Sequence, residues 1–538
     1  MEKEIELKLR VAPDDILALR NHPQFVDAFN SPAHTTLNSV YFDSDDRSLR
    51  EHGLTLRVRQ IGTQRVQTIK SVNQGSDWFE RSEWEQTIES DQPDLTRLTD
   101  IALRPILTDS VRNALKPVFE TRIERTTYKR NGNGTNIVMA VDEGQIVAND
   151  LSCPVCEIEL ELKQGTAAEL FEIARAINDI VPAQLDVKSK SERGYDLIDK
   201  RLVTVEKAHN PTISEGISAG RAFTIIGRAC LRHLVANTAA TIDRDGEALH
   251  QMRVALRRLR ASISLFSDFL NDDKIVSIKA ELRWLAQEFG PARNLDTHIF
   301  EVLKPLRKQH PKEPGLVSIG KMFGRQRLKC YREVRQAVQS ARFRRLVLET
   351  AEWIEAGPWT RSDHPLKQAR RQVPIEFYAA EQLSQRFGKI KRRGGKIANL
   401  NPEKLHKFRI QVKKARYAAE FFSSMYSDRK SVKRHKKVCS SLTQLQNSLG
   451  RINDIATHKA LFTDIINNPR RGLTEKQNHQ RAFAAGLIIG DQQARIPGLI
   501  DKARKAYNRF DSAKPFWSRR LDCSRVQSGD EETPSVGQ

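Results

Sequence analysis

The sequence predicts an α+β protein of more than one domain, with an antiparallel β-barrel or β-sandwich first and an all-helical region after it. Its 538 residues exceed what one compact domain usually holds. Charged and apolar residues alternate with period two in seven segments of the first 163 residues, which is the signature of half-buried strands. Beyond residue 218 the apolar residues recur with a period near 3.6, as in amphipathic helices.

The strand prediction rests on seven alternating segments. They lie at 4–11, 54–60, 66–70, 81–89, 120–128, 136–144 and 156–163. Turn-forming residues separate several of them, at 73–77, at 131–134 and at Gly144 with Gln145. Helical patterns interrupt the strands at 13–20 and 166–180. Many antiparallel strands in so short a stretch favour a sandwich or a barrel.

An internal repeat organises the helical half. Its helical segments lie at 219–242, 247–270, 274–290, 403–426 and 433–449. Residues 250–260 match 406–416, and residues 285–298 match 445–458. Two copies of a helical unit, each large enough for its own bundle core, account for this pattern. We therefore predict a barrel domain at 1–202, a linker at 203–217, a helical domain at 218–510 and a disordered polar tail at 511–538.

Charge divides the chain at the same point. The net charge is +22. Residues 1–200 contain 25 basic and 34 acidic residues, and residues 201–538 contain 64 basic and 33 acidic residues. The first part is thus at −9 and the second at +31. Such a basic region attracts a polyanion, which is nucleic acid, polyphosphate or anionic lipid.

Composition excludes several other classes of protein. No apolar stretch approaches the roughly 20 residues of a membrane helix, and the charged start MEKEIELKLR is unlike a secretory signal, so a cytoplasmic protein without membrane insertion is predicted. The six cysteines are scattered and do not form a disulfide framework. Cys153 and Cys156 form a C-x-x-C without a second pair, for which we favour a structural role over zinc or redox chemistry.

Ionic side chains recur on one face of several predicted strands. Glu4, Glu6 and Lys8 share a face, and the same alternation joins Arg57 with Arg59. It also joins Arg81, Glu83 and Glu85, and it runs through Glu157, Glu159, Glu161 and Lys163. On any single strand this pattern also describes a solvent-facing surface. In a barrel with its charged faces inward, the interior would offer carboxylates to Mg²⁺ or Mn²⁺ and basic groups to phosphate, the equipment of phosphoryl transfer.

These motifs resemble the CYTH family, also called triphosphate tunnel metalloenzymes. The matching features are E-x-E-x-K at 4–8, R-V-R at 57–59, Lys70, E-W-E at 83–85, Arg122 and Arg125, V-D-E-G at 141–144, E-I-E-L-E at 157–161 and K-S-K-S-E-R-G-Y at 188–195. The resemblance covers about residues 1–200. It implies an eight-stranded antiparallel tunnel. It also implies hydrolysis of inorganic triphosphate, thiamine triphosphate or RNA 5′-triphosphate ends, or cyclisation of ATP.

Carried over by position, the resemblance assigns roles to individual residues. Those that would hold the Mg²⁺ or Mn²⁺ are Glu4, Glu6, Asp142, Glu159 and Glu161. Those that would grip the phosphates are Lys8, Arg57, Arg59, Lys70, Arg122 and Lys190, with Arg125, Lys188 and Arg193 as further candidates. The catalytic candidates are Lys8 and Glu85.

The repeated helical segments carry two stripes of basic residues. In each, His, Arg, Arg or Lys, and Arg stand at i, i+3, i+7 and i+10, which places them along one side of a helix. The residues are His250, Arg253, Arg257 and Arg260 in the first copy and His406, Arg409, Lys413 and Arg416 in the second. A solvated helix face explains one such stripe. Because the stripe is duplicated and its charges repel one another, an anion-binding role is the better interpretation.

Both stripes, with the glycine-containing turns after them, resemble the CHAD domain over about 215–510. The resemblance implies two pseudo-symmetric four-helix bundles with polyphosphate bound in a basic groove between them. Further candidates for the basic surface are Arg221, Arg228, Lys391, Arg392 and Arg393. His298 and His458 match each other, and a structural role is favoured for them.

The combined prediction is an inorganic triphosphatase that binds polyphosphate and associates with polyphosphate granules. Three alternatives stay open at this point. The same tunnel could act on thiamine triphosphate or a nucleoside triphosphate, including ATP cyclisation. The chain could be a non-enzymatic polyphosphate-binding protein with a vestigial tunnel. It could also bind nucleic-acid backbone, although few aromatic residues accompany the basic ones.

Overall fold

The computed structural model describes residues 2–28, 32–71, 78–96, 103, 105–132, 134–201, 203–395, 397 and 400–517. The predicted turn at 73–77 therefore falls outside the described residues, as does the predicted tail from residue 518 onward. The described part of the predicted linker, 203–217, forms no helix or strand.

The first half of the chain forms a closed antiparallel barrel. Its strands are β1 (Glu2–Arg10), β2 (Ala33–Asp43), β3 (Leu54–Ile61), β4 (Gln64–Ser71), β5 (Glu80–Ile88), β6 (Lys116–Gly132), β7 (Thr135–Ala148), β8 (Leu151–Gln164) and β9 (Gln184–Asp186). The strand order is β5-β4-β3-β2-β6-β7-β8-β1-β9, and an additional β5–β1 pairing closes the ring of the first eight strands. The predicted eight-stranded antiparallel barrel is confirmed, and the sandwich is excluded.

Helices surround the barrel and then form the second half of the chain. Those within the barrel region are α1 (Pro13–Arg20), α2 (Pro23–Ala28), α3 (Ser48–Glu51), α4 (Asp109–Asn113), α5 (Ala167–Ile180) and α6 (Lys190–Ile198). The helical region contains α7 (Ala219–Ala236), α8 (Thr238–Ile242), α9 (Gly246–Leu265), α10 (Ser267–Leu270), α11 (Lys274–Thr297), α12 (Lys304–Gln309), α13 (Pro314–Gln339), α14 (Ala341–Ala356), α15 (Pro365–Gln372), α16 (Ile375–Gly394), α17 (Pro402–Phe421), α18 (Arg429–Asn467), α19 (Glu475–Ala494) and α20 (Ile496–Asp511). A π-helix at His298–Leu303 joins α11 to α12. No helix in the described part of the chain is both long and apolar enough to span a membrane.

The barrel is built with its charged face inward. Along β1, Leu7 and Leu9 are fully buried in the same apolar cluster as Phe171 of α5, on the outside of the barrel. Glu6 and Lys8, which alternate with them, face the interior. Because successive strand residues point to opposite faces, an apolar outer face that is covered by helices leaves the ionic residues in the lumen.

Two local sequence predictions in the barrel were wrong. The predicted turn at Gly144 and Gln145 lies inside β7, where Gly144 pairs with Ile123 of β6. A side chain there would place its Cβ 2.1 Å from the Arg122 carbonyl oxygen, so close backbone approach explains the glycine. Strand β2 was not predicted, because TTLNSVYFD lacks strict alternation, although it pairs along its length with β6.

The two basic helices of the repeat lie next to each other. Helix α9 packs against α7, α11 and α17, and α17 packs against α16 and α18. The five helical segments that the sequence predicts are all helical, and α18 continues beyond the predicted end at 449 to Asn467. Phe516 and Trp517 are buried, and Trp517 Nε1 donates to Ser384 Oγ at 2.8 Å. The prediction of a disordered tail from 511 is therefore wrong for residues 511–517.

Arginines of α7 attach the helical region to the barrel. Arg228, 4% exposed, forms two hydrogen bonds of 2.6 Å with Glu355 of α14 and lies 3.1 Å from Glu80 of β5. Arg221 also donates to Glu80, at 2.8 Å. Both arginines were candidates for the polyphosphate surface, and this interface corrects that assignment because their charges are neutralised by carboxylates.

We expect Arg228→Ala to lower the free energy of unfolding by about 3–5 kcal/mol, because Glu355 is left buried without its cation and Glu80 keeps only Arg221. Thermal denaturation of the full chain measures this. Arg221→Ala is the matched control, since that arginine is 41% exposed and serves the same glutamate, and we expect a loss below about 1 kcal/mol. Equal losses of unfolding free energy in the two variants would show that the buried Arg228–Glu355 ion pair stabilises the fold no more than the exposed Arg221–Glu80 pair does.

Candidate functional site

The barrel encloses a chamber of about 200 Å³ whose lining is almost wholly ionic. Its basic residues are Lys8, Arg57, Arg59, Lys70, Arg81, Arg125, Lys163 and Lys190, and its acidic residues are Glu4, Glu6, Glu83, Glu85, Glu159 and Glu161. Buried charges are stable only when they are paired or hold a ligand. The pairing inside the chamber therefore shows where a ligand can bind.

Glu159 is the most heavily paired carboxylate of the chamber. Lys8 Nζ lies 2.8 Å and Lys190 Nζ 2.9 Å from Glu159 Oε1, and Arg125 contacts Oε2 at 2.5 Å. Burial alone would raise the pKa of this carboxyl, but Lys190, Lys8 and Arg125 hold it well below its usual range. Glu159 is therefore ionised and fixed in place.

Glu4 and Glu6 stand in different electrostatic surroundings. Lys70 Nζ is 2.6 Å from Glu4, and this ammonium outweighs burial and lowers the pKa of Glu4 to about 2. Glu6 is 7% exposed, and its nearest cation is Lys8 Nζ at 3.4 Å. Burial and the neighbouring charge of Glu159 raise the pKa of Glu6 to about 7. The negative charge of Glu6 is therefore less compensated by nearby cations than that of Glu4.

A group of buried carboxylates lies just behind the chamber. Oxygens of Asp142, Glu157 and Glu159 lie within 4.8 Å of one another, a spacing that suits a cation. Lys190 Nζ lies among them, at 2.6 Å from Asp142, 2.5 Å from Glu157 and 2.9 Å from Glu159. The lysine ammonium is therefore the cation of this group, and a metal ion would have to displace it.

Arg59 is the cation of the chamber that most lacks a counterion. Within the described part of the chain it has no carboxylate within 4 Å, and its Nε donates to Ser39 Oγ at 3.1 Å. Burial, together with repulsion by Arg57 and Arg125, lowers its pKa to about 10. The neighbouring Arg57 keeps a buried Nε without a hydrogen-bond partner. Both features favour a bound anion between these arginines.

The helical region contains a second, larger cavity of about 900 Å³ between α9, α11, α17, α18 and α20. Its basic residues are Arg253, Arg257, Arg293, Arg409, Lys413, Arg451, Lys502, Lys505 and Arg509, and its acidic residues are Glu301 and Asp454. We call this cavity the basic groove. Its excess of seven positive charges is far larger than the excess of two in the barrel chamber.

The two repeats place corresponding arginines alike in the basic groove. The Nη1 atom of Arg253 lies 3.8 Å from the position that a Cβ of Gly290 would take, and Nε of Arg409 lies 3.6 Å from the same position at Gly450. Both arginines keep a buried Nε without a hydrogen-bond partner. Burial and repulsion by Arg257 and Arg293 lower the pKa of Arg253 to about 10. Like charges therefore repel one another within the groove.

Comparison with protein families assigns both halves. A model of the CYTH domain matches residues 2–195, and a model of the CHAD domain matches residues 225–463. The chain carries a CYTH domain followed by a CHAD domain. Both resemblances found in the sequence are thereby confirmed.

Relatives and solved structures are similar to parts of the chain. The inorganic triphosphatase of Haemophilus influenzae is 31% identical over 212 residues, which cover 38% of this chain and 57% of that relative's length. The CHAD domain of the plant Ricinus communis is 24% identical, with a TM-score of 0.47, over 57% of this chain and 96% of that one. PptA from Streptomyces chartreusis is 17% identical, with a TM-score of 0.39, over 54% and 99% of the two chains.

The structure separates the predicted residues of the CYTH domain. Those that line the chamber are Glu4, Glu6, Lys8, Arg57, Arg59, Lys70, Glu85, Glu159, Glu161 and Lys190. Asp142 does not line it and is 0% exposed behind Arg125 and Lys190. Arg122 is on the outer surface, where it pairs with Glu120 and its side chain is 58% exposed. Residues three apart on a strand face opposite sides, so the inward residue is Arg125 and the prediction for Arg122 was wrong.

Of the three further candidates in the CYTH domain, Arg125 lines the chamber, and Lys188 and Arg193 do not. Lys188 binds Asp196 at 2.8 Å, and Arg193 binds the buried Glu157 at 2.9 Å. Cys153 and Cys156, both unpaired, are three apart on β8 and face opposite sides, so they form no common site.

The predicted stripes of the CHAD domain also contain residues that line the groove and residues that do not. Five of the eight residues line the groove, and they are His250, Arg253, Arg257, Arg409 and Lys413. The other three do not line it. Arg260 is exposed, Arg416 is held by Glu420 and Gln446, and His406 Nδ1 lies 2.8 Å from Asn453 Oδ1. Ten positions advance about 15 Å along a helix, so the last arginine of each stripe lies farther along the helix than the residues that line the groove.

Several site residues were missed by sequence reasoning. Arg81, Glu83 and Lys163 line the chamber, and strand periodicity places them on the ionic faces, but nothing in the sequence assigned them a role. Tyr41 lies on the unpredicted β2. In the groove, Arg293 lies within the repeated segment 285–298, whereas Lys502, Lys505 and Arg509 come from α20, which carries no repeat signal.

Proposed function

We propose that the CYTH domain hydrolyses inorganic triphosphate to pyrophosphate and phosphate with a divalent metal ion. The observation that carries this proposal is the closed chamber, which combines six carboxylates with eight basic side chains. Arg59 supports it further, since it is a cation without a carboxylate partner among the described residues. Charge stabilisation of this kind is the main requirement of phosphoryl transfer.

The carboxylates of the chamber fit a hard cation such as Mg²⁺ or Mn²⁺. Glu4, Glu6, Glu159 and Glu161 supply only oxygen donors, which these ions prefer. Glu6 is the most available of them, because Lys70 holds Glu4, Lys163 holds Glu161 and three cations surround Glu159. When bound, such an ion neutralises phosphate charge and lowers the pKa of a coordinated water.

The chain's own basic residues bind and orient the substrate in this proposal. Arg57 and Arg59 on β3 and Lys8 on β1 contact the phosphate oxygens, and Arg81 extends the same surface. Glu85, whose Oε1 accepts a hydrogen bond from Thr68 at 3.0 Å, orients the attacking water. Lys190 holds Asp142, Glu157 and Glu159 in place, so it acts through these carboxylates and does not grip phosphate.

Inorganic triphosphate fits the chamber better than an organic triphosphate does. Among the described lining residues Tyr41 is the only aromatic side chain. Burial opposes ionisation of its phenol, but Arg57 and Arg59 outweigh burial and lower its pKa. The Tyr41 ring is 5% exposed and is already stacked on Phe119, with 4.5 Å between the ring centroids, so it offers little stacking surface to adenine or thiamine. No described residue of the chamber lining therefore specifically favours thiamine triphosphate, a nucleoside triphosphate or ATP cyclisation.

Specificity constants for a panel of substrates test this part of the proposal. The panel is triphosphate, pyrophosphate, long-chain polyphosphate, ATP and thiamine triphosphate, each assayed with Mg²⁺ or Mn²⁺. We expect kcat/KM for triphosphate to exceed that for every other substrate by at least about tenfold, about 1.4 kcal/mol of barrier. A higher value for ATP or thiamine triphosphate would replace the proposed substrate.

We further propose that the basic groove of the CHAD domain binds polyphosphate. Four cations support this, since Arg253, Arg257, Arg409 and Lys413 have no carboxylate within 4 Å in the described part of the chain. None of the described lining residues is Phe, Tyr or Trp, which disfavours base stacking with single-stranded nucleic acid. A flexible chain of phosphates can relieve the repulsion in the groove by contacting all four cations.

Polyphosphate affinity is expected to fall by up to about tenfold between pH 6 and pH 8. Burial, followed by repulsion from Arg409 on its own helix and Arg257 on α9, lowers the pKa of Lys413 to about 7, against a smaller opposing effect of Asp454. Lys413 is therefore charged below pH 6 and largely neutral at pH 8, so binding at higher pH requires uptake of a proton. Isothermal titration with long-chain polyphosphate at several pH values measures this. Lys413→Arg keeps its charge and should remove most of the dependence. An unchanged dependence in that variant would contradict the assignment.

A further inference from the structure

A second cavity adjoins the barrel chamber and is not part of the proposed active site. It has a volume of about 590 Å³ and shares Thr55, Arg81 and Ser191 with the lining of the chamber. These three residues come from β3, β5 and α6, so the cavity lies where these elements meet at the wall of the barrel. We call this cavity the vestibule.

The vestibule is formed jointly by the barrel, the linker and the CHAD domain. The barrel region contributes Arg50, Thr55, Trp78 and Arg81, and α6 contributes Ser191 and Tyr195. Its other wall consists of Val205, Glu206, Lys207 and His209 from the linker and Arg232 from α7. Arg232 fastens this wall to the barrel side by contacting Glu192 of α6 at 2.5 Å and the Val187 carbonyl oxygen at 2.5 Å. The cavity therefore exists only when the helical region is docked.

The charge of the vestibule is positive. Its basic residues are Arg50, Arg81, Lys188, Arg201, Lys207 and Arg232, and its acidic residues are Glu192, Asp196 and Glu206. The acidic residues are occupied, since Glu192 and Glu206 contact Arg232, and Asp196 contacts Lys188 at 2.8 Å. Within the described part of the chain, Arg201 and Lys207 have no carboxylate within 4 Å, and both are exposed to solvent at the edge of the cavity.

We propose that the vestibule is a phosphate-binding exit from the chamber, through which an inorganic phosphate product leaves. Hydrolysis turns one bound anion into two, and a chamber of about 200 Å³ gives the products little room to pass each other. A passage into the vestibule at the wall formed by Thr55, Arg81 and Ser191 lets the phosphate leave without passing the pyrophosphate. The exit role rests on the proposed triphosphatase function, whereas phosphate binding in the vestibule does not depend on it.

The test is the double charge reversal Arg201→Glu with Lys207→Glu in the full chain. Two measurements use inorganic phosphate as the probe: its inhibition constant as a product of triphosphate hydrolysis, and its direct binding by equilibrium dialysis without turnover. The dialysis uses chains that also carry Arg253→Ala and Arg409→Ala, so that the basic groove adds little to the bound phosphate. We expect both constants to rise at least about fivefold, since two attractive charges become repulsive at close range. Lys308→Glu with Lys312→Glu is the matched control, because it makes the same charge change at exposed positions away from both cavities, and it should change neither constant.

The two measurements separate the vestibule from the proposed reaction. A protein that hydrolyses no triphosphate overturns the exit role together with the proposed function, while dialysis still decides whether the vestibule binds phosphate. Phosphate binding that is absent, or that is equal in the wild type and the double variant, overturns the vestibule as a phosphate site. Equal loss of phosphate binding in the control variant would mean that the net charge of the protein causes the effect, and it would also overturn the vestibule as a phosphate site.

Discussion

Replacement of Glu6 by Gln is expected to slow triphosphate hydrolysis by at least about a hundredfold, about 2.7 kcal/mol of barrier. Glu6 lies inside the chamber, 7% exposed, with only Lys8 as a close cation. Glutamine keeps its shape but removes an anionic oxygen from the donor set for a metal ion. Initial rates of phosphate release with saturating metal measure the effect. A thermal melt should show no loss of stability, because removal of a carboxylate beside Glu159 relieves repulsion.

The matched control for this substitution is Glu124→Gln on β6. Glu124 is exposed on the outside of the same barrel, where it accepts hydrogen bonds from Thr36 Oγ1. We expect a rate within about twofold of the wild type. If Glu6→Gln retained more than about a tenth of the wild-type rate, the assignment of the chamber carboxylates to the reaction would be wrong.

The double variant Arg253→Ala with Arg409→Ala is expected to weaken polyphosphate binding at least about a hundredfold and to leave triphosphate hydrolysis unchanged. The two arginines come from the two repeats and line the groove without a carboxylate partner. Loss of two phosphate contacts should also reduce the slope of log affinity against log salt by about 2, as for other polyanions. Titrations at several salt concentrations measure both quantities.

Arg260→Ala with Lys407→Ala is the control for the groove. These residues are exposed on α9 and α17, the same two helices, but outside the lining. We expect a change in affinity of less than about threefold. Equal weakening by the control pair would mean that net charge, and not the groove, binds polyphosphate.

The barrel shows which features of the site strand periodicity can predict and which it cannot. Alternation placed Glu4, Glu6 and Lys8 on one face, and closure of the barrel turned that face inward. Periodicity fixes which residues of one strand lie together, but not which face of a strand points inward. That choice depends on register with the neighbouring strands, which is why Arg122 is assigned to the phosphates and Arg125 is only a further candidate, although Arg125 is the residue that faces inward.

The identity of the partner of each charge also could not be read from the sequence. Asp142 and Lys190 were assigned to the metal and the phosphates, but the fold brings them to 2.6 Å from each other. Buried ionic groups compensate one another before they bind a ligand. A residue type that suits a ligand is therefore insufficient evidence when an opposite charge is held beside it.

The helical half was predictable to the extent that it is repeated. Duplication of the stripe identified Arg253 and Arg409, and the second repeated segment lies along the same groove. Lys502, Lys505 and Arg509 escaped notice because α20 completes the groove without a matching copy. The docking role of Arg228 also depends on tertiary contacts, since its partners Glu80 and Glu355 are distant in the sequence.

The measurement that tests the central claim most directly is phosphate release from triphosphate by the full chain, with Mg²⁺ or Mn²⁺ and with EDTA. The account predicts rapid release of one phosphate and one pyrophosphate for each triphosphate, with loss of activity in EDTA and recovery when metal is restored. Absence of release under every metal condition would contradict hydrolysis in the chamber. Release that persists unchanged in EDTA would contradict the assignment of its carboxylates to a metal ion.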